Sequence, residues 1–177
     1  MPMLEQSLAD RTVLVVDDAP TNLNLLASLL NPMYRVKLAP SGPKALAIAR
    51  KAPPDLILLD VMMPGMDGYE VCRQLKQHES TRNIPVIFLT AMSETEHEAR
   101  GFEVGAADFI HKPISPAIVR ARVKTHLENK SLHDQLRSRA ATLSTELDER
   151  MVQLDRLRES TLFVMISFAE FRDENTG

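Results

Sequence analysis

Polar side chains stand where four apolar runs stop. Asp17 and Asp18 follow Thr12–Val16, Asp60 follows Leu56–Leu59, Thr90 follows Pro85–Leu89, and Lys112 comes just after Asp108–Ile110. Three carboxylates gathered in one place repel one another unless a cation neutralises them. Oxygen ligands in that number, without His or Cys, favour Mg²⁺ or Mn²⁺ over zinc. A cation and a lysine beside a carboxylate are what phosphoryl transfer onto that carboxylate requires. In such a reaction Asp60 attacks phosphorus, the cation and Lys112 neutralise equatorial oxygens, and Thr90 donates a hydrogen bond to one of them. The small Ala91 leaves room for the group. Each residue alone has a plainer role as strand end, helix cap or surface lysine. Their shared position is what points to one site.

That position follows from the elements. Thr12–Val16, Leu56–Leu59 and Pro85–Leu89 are continuous apolar runs, as expected of parallel strands buried on both faces. Tyr34–Leu38 alternates with period two, like a less buried strand near an edge. Asp108–Ile110 is short. Helical patterns fall between the strands. Pro20 suits a first helical turn, Leu23, Leu26, Leu29 and Leu30 give its apolar face, and Asn31-Pro32 stops it. Ser41 is expected to cap a second helix, Gly68 to Gln77 forms a third, Ser93 opens a fourth, and Gly105 ends that one in a left-handed turn. Strand and helix thus alternate five times, the signature of an α/β, doubly wound parallel sheet. Ligands of such sheets gather outside the carboxyl ends of the strands, where Asp60 lies. No G-x-G-x-x-G or Walker pattern follows any strand, which disfavours a nucleotide site.

Composition narrows the class. The chain of 177 residues is 44% hydrophobic with a formal net charge of -3, so no basic footprint for nucleic acid is present. The single cysteine, Cys72, excludes an internal disulfide and reads as an inert helix residue in a reducing compartment. No apolar run approaches membrane-spanning length, and a cytoplasmic protein is expected. Residues 1–10 read as a short leader.

Beyond Ser115 the pattern changes. No Gly or Pro lies between Pro116 and Gly177, and helix formers dominate, so one long helix is expected. Ala140, Leu143, Leu147, Arg150, Leu154, Leu157, Thr161, Val164 and Phe168 recur at alternating steps of three and four, a coiled-coil seam. Such a stripe calls for a partner helix, either in a second copy or in a further domain of the same chain. Arg150 and Thr161 interrupt the seam and should weaken the pairing or fix its register.

Residues 11 to about 124 resemble the receiver domain of two-component response regulators. The likeness rests on Val16-Asp17-Asp18, on Asp60-Val61-Met62-Met63-Pro64-Gly65-Met66-Asp67-Gly68, on Phe88-Leu89-Thr90-Ala91 and on Phe109-Ile110-His111-Lys112-Pro113. It implies a (βα)5 sheet of order 2-1-3-4-5 and Asp60 as phospho-acceptor. It implies Mg²⁺ held by Asp18, Asp60 and the backbone carbonyl of Met62, with Asp17 acting through water. It further implies that Thr90 and Phe109 switch together, that a cis peptide joins Lys112 to Pro113, and that a sensor histidine kinase is the phosphate donor. The stretch from Leu162 to Gly177 resembles the segment that opens HD-GYP phosphodiesterase domains, in which a metal-binding histidine follows shortly after the Thr-Gly. The organisation expected is a leader (1–10), a receiver (11–124) and a dimerising signalling helix (125–177) serving a cyclic di-GMP phosphodiesterase. A stand-alone adaptor, or a diguanylate cyclase or DNA-binding output, is the alternative. The chain itself lacks the histidines and aspartates of such a catalytic domain. Its own chemistry would be confined to taking phosphate and slowly losing it.

Overall fold

The computed structural model describes residues 10–91 and 101–174, the side chains at 160 and 163–174 excepted. Most of the leader, most of the helix expected from Ser93, and the side chains of Val164 and Phe168 therefore lie outside the described residues.

The elements run β1 (Thr12–Val16), α1 (Pro20–Leu30), β2 (Arg35–Ala39), α2 (Gly42–Lys51), β3 (Leu56–Asp60), α3 (Gly68–Gln77), β4 (Val86–Thr90), β5 (Asp108–His111) and α4 (Pro116–Glu174). The five strands form one parallel sheet in the order β2-β1-β3-β4-β5. This is the doubly wound α/β architecture the alternation implied. Residues 101–103 are the helical end of the connection between β4 and β5. That helix stops as expected at Gly105, whose φ of +93° suits only glycine. The Gly105 N–H donates to the Phe102 carbonyl and the Ala106 N–H to the Gly101 carbonyl, the paired bonds of a left-handed helix end.

Period-two alternation sends each strand's side chains to two separate cores. Leu14, Val16, Ile57, Leu59 and Phe88 face Ala45, Ala49, Val71, Cys72 and Leu75 of α2 and α3. Val13, Val15, Leu58, Ile87 and Ile110 face Leu23, Leu26 and Leu30 of α1 and Val119, Val123 and Leu127 of α4. Burial on both faces is why β3 and β4 read as unbroken apolar runs.

Some local expectations shift. Ser41 stands at the N-cap of α2 with extended backbone, but its side chain caps nothing. Pro43 sits at the second helical position and has no N–H to offer, so one of the two donors a capping serine uses is missing. Tyr34 belongs to the turn after α1, its N–H donating to the Leu30 carbonyl at 2.9 Å, and β2 begins one residue later. Pro85 lies just before β4, where its carbonyl accepts from the Ile57 N–H at 3.0 Å.

The chain divides into two compact units, Met1–Ser131 and Leu132–Gly177, and α4 runs through both. In the first unit α4 is tied to β5 through Asp108. Its carboxylate accepts from the guanidinium of Arg122, from Nε2 of His126 at 3.0 Å and from the Phe109 N–H at 2.8 Å. Burial alone would raise the pKa of Asp108, but these donors outweigh it and hold the group below the usual carboxylate value. Arg11, paired with Asp55 at 2.7 Å, also reaches Ser131 at 3.3 Å. In the second unit every described side chain is exposed. No helix among the described residues is long and apolar enough to cross a membrane.

Candidate functional site

The parallel sheet carries the carboxyl ends of β1, β3, β4 and β5 to one edge. Register fixes the result: Val16 pairs with Leu59, Asp60 with Leu89 and Thr90 with His111, so their successors are neighbours. Asp17, Asp18 and Asp60 each bring a carboxylate oxygen within 4.8 Å of the others. Asp17 and Asp60 are buried, whereas Asp18 is exposed.

Lys112 closes the site. Its Nζ lies 2.9 Å from Oδ2 of Asp60 and 3.1 Å from Oδ2 of Asp17. Its backbone N–H donates to the Thr90 carbonyl at 2.7 Å, and its peptide bond to Pro113 is cis. Burial raises the pKa of Asp60; the Lys112 ammonium opposes that shift and the Asp17 charge adds to it. For Lys112 burial acts downward, but hydrogen bonds to both carboxylates prevail and its pKa is raised. Asp60 is thus a carboxylate whose charge is under strain, beside a firmly protonated lysine.

Three further positions selected from the sequence surround this centre. The Met62 N–H donates to Oδ1 of Asp60 at 3.3 Å, which folds the β3–α3 loop back over the carboxylate, while its side chain is exposed. Thr90 is buried at the end of β4. Phe109 is already turned inward: its ring is buried 5.6 Å from that of Phe88 and 4.9 Å from that of Phe102. Of the seam residues, Leu143, Leu147, Leu154 and Leu157 lie in the second unit and are exposed.

The structure adds contacts that the sequence does not display. Asn22 donates to both oxygens of Asp17, at 3.0 and 2.9 Å, and the Ala19 N–H donates to Oδ1 at 2.9 Å. The available signal was its place in the first turn of α1, where side chains reach back to the preceding loop. Gly68 is needed by contact, since a Cβ there would fall 2.3 Å from the Asp60 carbonyl oxygen. Gly101 likewise leaves room for Phe109, whose Cζ would lie 2.4 Å from a Cβ.

Residues 13–124 match the response regulator receiver domain family. The chain belongs to that family. It is a receiver of two-component signalling, with the CheY-like order of strands. A Vibrio cholerae protein named "Probable cyclic di-GMP phosphodiesterase" is 45% identical over 175 residues, which are 99% of this chain and 40% of the relative. Response regulator PleD of Caulobacter vibrioides is 48% identical over 131 residues, 73% of this chain and 29% of that protein. The solved chemotaxis response regulator CheY4 of Vibrio cholerae is 30% identical with a TM-score of 0.64, covering 67% of this chain and 99% of its own. The chain thus spans well under half the length of either sequence relative. The likeness to CheY4 is confined to the receiver, whereas that to the phosphodiesterase continues through α4.

Proposed function

We propose that Asp60 is the phospho-acceptor of this receiver and that a sensor histidine kinase is the donor. A carboxylate oxygen of Asp60 attacks the phosphorus, the bond to the donor imidazole nitrogen breaks, and the imidazole departs with the electron pair. The supporting observation is the Asp60 carboxylate at a strand end, 2.9 Å from the Lys112 ammonium and grouped with two other acids. The all-oxygen donor set fits Mg²⁺ or Mn²⁺, with Asp18, Asp60 and the Met62 carbonyl as ligands and Asp17 acting through water. A divalent cation held there would neutralise the carboxylates and the oxygens of the incoming group. Lys112 holds one phosphoryl oxygen, and the Thr90 hydroxyl donates to another. Thr90 held in that way keeps Phe109 fixed inward, which stabilises one packing of β5 and the opening turns of α4.

The output we propose is a cyclic di-GMP phosphodiesterase, reached through α4 pairing in a homodimer in the cytoplasm. Similarity to the Vibrio cholerae relative along nearly the whole chain, α4 included, favours this over a transcriptional output, since the transcriptional regulatory protein ResD of Bacillus subtilis matches only 67% of the chain. The test is incubation with acetyl phosphate and Mg²⁺. The wild-type chain should gain one phosphoryl group by mass and Asp60→Asn none. A variant lacking Asp60 that still gains the group would overturn the assignment.

A further inference from the structure

The second unit carries more apolar surface than one coiled-coil seam can use. Its described large apolar residues, from Leu132 to Leu162, are 50% to 64% exposed. The heptad seam passes Leu143, Leu147, Arg150, Leu154, Leu157 and Thr161 in steps of four and three. A different path leaves it after Leu147. Steps of four, four and three lead from Leu132 through Leu136, Ala140, Leu143 and Leu147 to Met151, Leu154, Arg158 and Leu162, a repeat of eleven residues. Ala140, Leu143, Leu147 and Leu154 belong to both paths.

We infer that α4 pairs with a second copy of itself in either of two registers, one heptad and one eleven-residue, which exchange Leu157 for Met151 and Leu162. This rests on the pairing of two copies proposed above. A second copy is the fitting occupant because it presents the same repeats over the same length in register. Flanking positions agree. In a parallel pair on the heptad seam Arg139 faces Ser144, Glu146 faces Met151 and Gln153 faces Arg158, so no like charges oppose there.

Neither register is free of cost. The heptad path buries Leu157 but brings Arg150 and Thr161 into the seam. The eleven-residue path buries Met151 and Leu162 but brings in Arg158. Each path carries one arginine, so neither is a clean seam and the two compete for the same helix. Heptads wind left-handed and eleven-residue repeats right-handed, so exchange turns each helix about its axis beyond Leu147. Whatever follows α4 turns with it, which gives the receiver a rotary signal to transmit.

Cysteine cross-linking in the full chain tests this. Leu157→Cys lies in the seam only in the heptad register and Leu162→Cys only in the other. The parent chain, whose Cys72 is buried, is the blank. Each cysteine is placed in chains that also carry Arg150→Leu or Arg158→Leu, and mild oxidation follows. Arg150→Leu should raise the ratio of cross-linking at 157 to that at 162 several-fold, and Arg158→Leu should lower it several-fold. Dimers by light scattering with one unchanged ratio would overturn the two registers and leave pairing intact. Monomers by light scattering would overturn the pairing, and with it this inference.

Discussion

Asn22 grips both carboxylate oxygens of Asp17 with its single amide nitrogen, at 3.0 and 2.9 Å. Asp17 is fully buried, so these donors replace water that the charge has lost. Asn22→Leu keeps the bulk and removes the donors. Ala19 and Lys112 still donate to Asp17, so the cost should be about 0.5–1.5 kcal/mol, the net worth of a hydrogen bond. Urea unfolding gives the number, and an unchanged midpoint would remove Asn22 from the site.

Asp60 is held against its own charge. Its folded pKa is raised above 3.8, so the fold favours the protonated acid, and that contribution is lost as pH rises through the folded value. Without divalent cation, Asp60→Asn should therefore be more stable than wild type at neutral pH. The gap should narrow in acid. Thermal melts across the acid range in chelator check it, and a less stable Asp60→Asn at pH 7 contradicts it.

Asp108 has the opposite sign. Its pKa is lowered below 3.8, so its bonds to Arg122 and His126 contribute fully above that value and are lost as pH falls through the depressed one. With Arg122 partly exposed, Asp108→Asn should cost only about 0.5–1 kcal/mol at neutral pH. Titrated stability of the two chains should converge below the ordinary carboxylate range. A difference that persists into strong acid would mean the cluster acts by packing rather than charge.

The first unit needs α4 beyond Lys124. Leu127 is fully buried and Ser131 accepts from Arg11. Leu127→Ala should cost about 2–5 kcal/mol. A chain ending at Lys124 should unfold at lower urea than one ending at Ser131, and equal midpoints would show that these turns contribute nothing.

The sheet was legible because strands buried on both faces leave an unmistakable trace, an apolar run closed by a polar residue. Asp17, Asp60, Thr90 and Lys112 could be grouped for the same reason: the topology puts every strand's carboxyl end on one edge. What stayed hidden depended on distances between remote segments. Gly101 under Phe109 looks like any other glycine until the chain is folded, and Gly68, though it closes a motif, does not show in sequence its contact with the Asp60 carbonyl. Ser41 misled because the capping preference of serine speaks before the missing N–H of Pro43 is considered. An alternation of three and four in the α4 stripe reads as a single seam, and Met151 and Leu162 fall outside it.

Cys72 points into the core with Sγ donating to the Val104 carbonyl, and burial pushes its thiol up to about 11. A group that stays protonated and out of reach offers nothing for peroxide or a mixed disulfide to attack. The thiol of this receiver is therefore a packing group and no redox switch.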